Sequence, residues 1–484
     1  MLYVTSFAFR FAALANNTGM QTAARRQKVY DFSSPAAEVP MSTTTTNSSK
    51  AVNALSKDEI IRKQKEFIFP SVFTYFSEPL VVEHGFMQHV WDTEGRQYLD
   101  FFGGIVTISV GHCNPRVTAR MKQQIDTLQH VSTCFPTAPA VGLAEKLAQI
   151  APGKIKKSFF TNSGTEADET AVPVARAHTG NYELITLRHG YSGRSSMARA
   201  MTGLNTWRRG TLEVGIVQAI NPYCYRCPFG LKYPDCGVAC AKDVENVIQT
   251  STSGRIAGFL AEPIQGVAGF IVPPKEYFKI VFNIVKQYGG DFMVDEVQTA
   301  WGRTGKKWWG IEHWEVEPDI LTSAKGLANG QPIGLTMARP EIADAFQGLT
   351  ISTFGGNPVT CATARAVIDI IEEDDLLTNA DVVGRYFRGK LEELQDKYAL
   401  IGDVRGMGLM QAMEFVKDRQ TKEPAGAETN AFMDACRAQG LLVGKGGLFG
   451  NVIRMSPPLN ISKADVDEAV RKLDAAFQTV TKSR

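Results

Sequence analysis

A chain of 484 residues, 44% apolar and 21% charged, has the make-up of a globular protein with room for two packed domains and a deep cleft. Its 52 basic and 50 acidic residues leave a formal charge of +2, which gives no electrostatic reason to expect a nucleic-acid partner, and no apolar run reaches the ~18 residues that a membrane span needs. Eight cysteines in so long a chain do not make a secreted disulfide scaffold, so a reducing compartment is expected.

Residues 1–55 read as a tail outside the core. Arg10, Arg25, Arg26 and Lys28 precede the first acid, Asp31, and Phe7, Phe9, Phe11 and Leu14 add apolar mass. That is the make-up of an amphipathic mitochondrial targeting peptide. Alternatively, Met41 opens a polar stretch that looks like a natural start, which would leave the protein in the cytoplasm. Residues 56–114 begin with a basic helical segment from Asp58. Two strand-like runs follow, Leu80–Gly85 and Gln88–Asp100, the second broken by an Asp92–Gly95 turn, so a small antiparallel sheet is expected.

Residues 115–365 change style. Short apolar runs at Glu183–Leu187, Val214–Val217, Ile256–Ala261, Phe292–Val294 and Ile320–Thr322 alternate with helical stretches. In the stretch Glu276–Tyr288, Tyr277, Ile280, Val281, Ile284, Val285 and Tyr288 recur at helical spacing and give one buried face. Strand and helix in alternation predict a mostly parallel sheet covered by helices on both sides, an α/β large domain. Residues 366–484 add two helices, a strand within Gly408–Phe415 and a last helix from Ser462, which predicts a smaller α+β domain shared with the N-terminal sheet.

Chemistry gathers at the strand ends, where an open α/β sheet binds its ligands. Lys325 can form an imine and Asp295 can protonate a pyridine nitrogen, the pair that pyridoxal phosphate chemistry requires. The run Phe159–Ala167 reads as a strand, a glycine turn and a helix whose first N–H groups, with Ser163, Gly164 and Thr165, suit a phosphate. Ser163 also suits a plain helix N-cap. Cys224, Cys227, Cys236 and Cys240 crowd a Pro- and Tyr-rich loop and are candidates for a zinc site or for free thiols that order the loop. Glu296, beside Asp295, points to the other side of its strand and reads as structural. His112 reads as a packed histidine with no evident partner.

Asn162-Ser-Gly-Thr-Glu-Ala, Ala261-Glu-Pro-Ile-Gln-Gly, Val294-Asp-Glu-Val-Gln-Thr, Ala324-Lys-Gly and Thr353-Phe-Gly-Gly-Asn-Pro, in this order, resemble the class III, fold type I pyridoxal phosphate aminotransferases over about residues 65 to 480. Tyr98–Cys113, Ile401–Met410 and Gly440–Gly447 are most similar to the alanine:glyoxylate aminotransferase 2 group of that class. The resemblance implies a seven-stranded large sheet and a homodimer, or a tetramer built from it. It implies that Lys325 holds the cofactor and shuttles the substrate proton, with Asp295 at the ring nitrogen. Gln298 would meet the phenolic oxygen, Val297 and Tyr191 the two ring faces, and Thr353 the phosphate of the neighbouring subunit. Arg454 would grip a substrate carboxylate, and Glu262 would pair with Arg454 when that carboxylate is absent.

The reaction so implied moves an amino group from an amino acid, L-alanine first among them, to a small keto acid, glyoxylate or pyruvate. An ω-amino acid:pyruvate transaminase using β-alanine, 4-aminobutyrate or 3-aminoisobutyrate is the alternative, and a cofactor-free scaffold protein is a remote one. Four positions depart from the family pattern: Ser192 in place of histidine, Asp168 in place of asparagine, and Ala300 and Trp301 in place of glycine and phenylalanine. The last two are expected to alter the cleft's volume. Pro173, inside the helix that starts at Gly164, is expected to kink it.

Overall fold

The computed structural model describes residues 55–482, so the reading of the first forty residues falls outside it. The described chain starts at a helix, Lys57–Phe67, fixed by a capping box in which Ser56 and Glu59 satisfy each other's backbone N–H groups. Three strands follow: β1 (Val82–Phe86), β2 (His89–Asp92) and β3 (Gln97–Asp100). They pair antiparallel in sequence, with the expected Asp92–Gly95 turn between β2 and β3, and Gly95 adopts the left-handed conformation that the turn demands.

The large sheet is built from β4 (Lys157–Thr161), β5 (Glu183–Leu187), β6 (Ile216–Ala219), β7 (Ile256–Ala261), β8 (Asp291–Asp295), β9 (Ile320–Ser323) and β10 (Gly334–Ala338). Their order across the sheet is β4-β10-β9-β8-β7-β5-β6. β6, β5, β7, β8 and β9 run parallel, while β10 is antiparallel to both of its neighbours, β9 and β4. Every residue of β7, β8 and β9 is buried, as expected for central strands covered on both faces. β6 starts two residues later than the apolar run suggested, because Gly215 turns the chain at φ +75° and leaves Val214 in solvent.

Two helices place the chemistry. The helix Tyr277–Gln287 buries Tyr277, Phe278, Val281, Ile284 and Val285, and Phe278 stands edge-on to Phe292 of β8. Ile280 and Tyr288, expected on that face, are only partly buried. The helix Gly164–Thr179 buries Ala167, Asp168, Ala171, Val172, Val174 and Ala175 against the sheet, and its alanines let the backbone lie close to the strands. It runs through Pro173 as one unbroken helix, so the expected kink does not interrupt it. Ties on either side of the proline hold it down, including a 2.8 Å hydrogen bond from the Thr336 hydroxyl to the Ala167 carbonyl.

The chain then forms helices Pro358–Glu373 and Leu376–Lys397; the first crosses position 365, where the start of the second domain was expected. The remaining strands are β11 (Ile401–Met407), β12 (Met410–Phe415), β13 (Leu441–Leu442), β14 (Gly444–Gly446) and β15 (Val452–Met455), followed by the helix Lys463–Lys482. β11, β12, β15 and β14 form an antiparallel sheet. β13 instead pairs parallel with β3, Leu441 opposite Leu99, so the two ends of the chain share a sheet as predicted.

Candidate functional site

A cavity of ≈ 180 Å³ opens where β7, β8 and β9 end, and Lys325 and Asp295 both line it. Asp295 is the last residue of β8 and is 4% exposed; its carboxylate accepts the Val297 backbone N–H at 2.9 Å. Burial raises its proton affinity, opposed by that N–H and by the Lys325 ammonium. Lys325 follows β9 after a single residue and sits at φ +43°, a left-handed backbone that a lysine adopts only when its surroundings impose it. The imposed fit is visible next door. A Cβ on Gly326 would collide with Ser109 and press on Trp301, which donates to the Ser323 hydroxyl at 3.1 Å. Burial holds the Lys325 ammonium below the usual lysine range, with Asp295 and Glu262 pulling the other way.

The opposite wall is the start of the helix Gly164–Thr179. Gly164 and Thr165 line the cavity, and Gly164 keeps the approach to Val297 close, since a Cβ there would lie 3.0 Å from a methyl of Val297 and press it aside. Ser163 does not line it. Its hydroxyl accepts the Glu166 N–H at 3.3 Å and caps the helix, the plainer of its two expected roles. Tyr191, Ser192 and Gly193 close a third side. Gly193, at φ +130°, is needed because a Cβ there would strike Thr165. Tyr191 is braced edge-on by Trp207, ring centroids 5.4 Å apart.

Val297 and Gln298 complete the lining. The Gln298 side-chain oxygen is buried and has no hydrogen-bond partner, so a polar ligand atom in the cavity would satisfy it. Cavities of about 150 Å³ accept benzene, so the volume suits a substituted pyridine ring. The donor set suits pyridoxal phosphate in particular: an amine, an acid for a ring nitrogen, an unpartnered amide, and free N–H groups at a helix start for a phosphate.

Glu262 lines the same cavity, yet its carboxylate is already engaged, accepting the Tyr191 N–H at 3.0 Å and the Gly266 N–H at 2.7 Å. Arg454 lies outside the cavity lining. It is 3% exposed on β15, donates to the Gly266 carbonyl at 3.1 Å and the Lys445 carbonyl at 2.9 Å, and stands over Phe102 and Phe270. No ion pair joins Glu262 to Arg454 among the described residues; Gly266 stands between them, its N–H on one and its carbonyl on the other. The Arg454 Nε is buried without a partner. Thr353 is exposed and does not reach the cavity of its own subunit.

Other expectations need adjustment. Ala300 and Trp301 are buried behind the Lys325 loop and do not line the cavity, so they cannot set its volume directly. His112 does have a partner, the Asp100 carboxylate at 2.8 Å. Glu296 is structural as expected, accepting the Thr299 hydroxyl and the N–H groups of Gly310 and Ile311. Cys224, Cys227, Cys236 and Cys240 line one small cavity of ≈ 20 Å³, but no group of three or more His, Cys, Asp or Glu among the described residues is arranged to hold a metal ion. Burial pushes the Cys224 thiol up and the Cys240 thiol up to about 12. Sequence reasoning missed Gly193, Trp207 and Phe102. Trp207 sits in an Arg- and Gly-rich loop with no periodic pattern to mark it.

A family model described as aminotransferase class-III matches residues 75–477. The alanine–glyoxylate aminotransferase 2 homolog 2 of Arabidopsis thaliana, mitochondrial by its name, is 42% identical over 420 residues, covering 87% of this chain and 87% of that one. The leucine/methionine racemase of Thermococcus litoralis is 40% identical over 435 residues, 89% of this chain and 97% of its own. Among solved structures, an amine transaminase from an uncultivated Pseudomonas species in its pyridoxal-phosphate-bound form superposes with a TM-score of 0.78 at 33% identity, covering 83% of this chain and 95% of its own.

Proposed function

The chain belongs to the class-III aminotransferases and is a pyridoxal-phosphate-dependent transaminase, and from that premise we propose that it takes the amino group of L-alanine and passes it to glyoxylate, leaving pyruvate and glycine. The observation that carries this reading is a single cavity lined by both Lys325 and Asp295. When bound, the cofactor supplies a protonated ring that accepts the electrons left behind as the substrate loses its α-proton. The protein's part is to hold the group and to handle the proton. Lys325 would bond its aldehyde carbon. Asp295 would keep its ring nitrogen protonated, Val297 and Tyr191 would fix its plane, and Gln298 would meet its phenolic oxygen. Gly164 and Thr165, at the helix start, suit its phosphate.

Lys325 is suited to move the proton because burial lowers its proton affinity, so a neutral amine forms at lower pH than for a solvated lysine. Arg454 is suited to the substrate carboxylate: two of its nitrogens are tied to carbonyls, which fixes its plane, and a third is left over. Substrates with a distal amine form the second reading. What favours it is Gly266, a single residue that bridges Glu262 and Arg454, so a small movement would let them pair when no α-carboxylate enters.

We place the active form as a homodimer in which Thr353 serves the partner's cofactor. Its support is the company Thr353 keeps, with Leu349, Ile351 and Phe354 all strongly exposed. We place the protein in mitochondria, on the basic N-terminal segment and on the name of the Arabidopsis relative. Sequencing the mature N-terminus decides this, since retention of residues 1–40 or a start at Met41 would count against it. The reaction is tested by incubating the holoenzyme with L-alanine, β-alanine, 4-aminobutyrate and L-leucine against glyoxylate and pyruvate, with products identified by mass spectrometry. Fastest formation of glycine from L-alanine and glyoxylate is expected. Turnover of the distal amines alone would move the assignment to the second reading, and D-leucine formed from L-leucine without any keto acid would replace transamination by racemisation.

A further inference from the structure

On the helix Gly164–Thr179, the buried residues are Ala167, Ala171, Val172, Val174, Ala175 and one acid, Asp168. A carboxyl group on an apolar stripe is costly to bury unless its oxygens are satisfied. Asp168 is 1% exposed. Its Oδ1 accepts the Thr322 hydroxyl at 2.6 Å, and Thr322 is the cross-strand neighbour of Asp295. Its Oδ2 is also buried and meets no donor at all. The group placed beside it is the carboxyl of Asp295, which lines the same cavity, shares Thr322 as a neighbour and is an acceptor too. Two carboxylate oxygens come together in a dry site only with a proton between them.

We propose that Asp168 is a neutral acid that donates its O–H to the Asp295 carboxylate, and so acts as a positioning residue that keeps Asp295 anionic and aimed at the cofactor's ring nitrogen. The proton belongs on Asp168 rather than on Asp295 because of their surroundings. Asp295 has the Val297 N–H and the stronger attraction of the Lys325 ammonium to stabilise a negative charge, whereas Asp168 has a hydroxyl as its hydrogen-bond donor and the weaker pull of the same ammonium. The charged groups that act on Asp168 are Asp295 and Glu262, which oppose its ionisation as burial does, and Lys325, which favours it but is drawn to Asp295 ahead of Asp168. An asparagine side chain would offer the same donor without needing a proton, so here an acid does the work of an amide. The inference rests on the reading of Asp295 as the nitrogen's partner, but the proton itself needs no cofactor.

The test has two arms. In the apoprotein at pH 8, infrared difference spectra of wild type against Asp168→Asn should show the C=O stretch of a protonated carboxylic acid in wild type and its loss in the variant. An unchanged spectrum would mean that Asp168 is ionised and would overturn the proposal. In the second arm, Asp168→Asn should bind pyridoxal phosphate within about threefold of wild type, while Asp168→Leu, of similar shape but without a donor, should bind it at least tenfold more weakly. Wild-type affinity in the leucine variant would also overturn the proposal. If Asp168→Leu does not fold, the infrared arm still decides. A wild-type protein that shows the acid band yet binds no cofactor would sink the cofactor reading and leave the shared proton standing.

Discussion

Lys325 carries an imposed left-handed backbone and an ammonium destabilised by burial, and both arise from residues distant in sequence. The glycine at 326 lets Ser109 and Trp301 press against the loop, and the cavity strips solvent from the amine. In the apoprotein, acetylation of Lys325 followed by peptide mapping should therefore have a pH midpoint below that of the exposed lysines, because the neutral amine is the reactive form. A midpoint at or above theirs would count against it as the reactive amine. Arg454 makes a different claim. A lysine there keeps the charge but loses the planar fork, so Arg454→Lys should raise KM for the keto acid by about 10–100-fold and change kcat far less. Equal losses in kcat and kcat/KM would instead place Arg454 in the transition state alone. The types of these residues were legible in the sequence, since only a few side chains can bond an aldehyde or grip a carboxylate. Their present partners were not, because Gly266 is brought between Glu262 and Arg454 by a turn and a strand nearly two hundred residues apart.

Elements decide how those groups are held. The short helical turn Gly310–Trp314 starts with two backbone N–H groups, and Glu296, at the end of β8, reaches across to accept both. Burial pushes the Glu296 carboxyl up to about 7. A raised value in the folded state means that the proton must be held against rising pH. Stability from this group is therefore present in full at low pH and is lost as pH climbs from the ordinary glutamate range to about 7. Glu296→Gln leaves one N–H without an acceptor, at a cost of about 1–3 kcal/mol. Its deficit in thermal midpoint relative to wild type should be largest at pH 5 and shrink by pH 7.5, and a deficit that grows instead would show that Glu296 is ionised in the fold. The helix Gly164–Thr179 shows where element-level reading from sequence falls short. The proline raised the question of whether the helix could continue, and tertiary ties such as the Thr336 hydroxyl hold it along the sheet, so that it runs through Pro173 without breaking.

At the scale of the whole molecule, the exposed apolar segment around Thr353 is the feature a single chain leaves unexplained. Leu349, Ile351 and Phe354 are 106%, 58% and 62% exposed, a surface that isolated proteins seldom keep. In a dimer that buries it, Phe354→Glu should place a charge in the interface and halve the mass seen by sedimentation. Thr353→Ala should keep the wild-type mass but lose cofactor retention by about tenfold, as expected for one lost phosphate contact in a dry site. Wild-type mass in Phe354→Glu would move the interface elsewhere.

By itself the sequence determined the class of chemistry and the alternation that makes the large sheet, because imine-forming, acid and phosphate-binding residues at strand ends, and periods of two and 3.6, are local properties of the chain. It also carried the sharing of a sheet between the two ends, through short β-rich runs on either side of a long α/β middle. Only the tertiary structure decided which acid faces which. Asp168 lies on the buried stripe of a helix, and it becomes the neighbour of Asp295 only when that helix is laid across β8 and β9. Electrostatics between buried groups depends on distance and on excluded water, and neither is set until strands far apart in the chain are side by side.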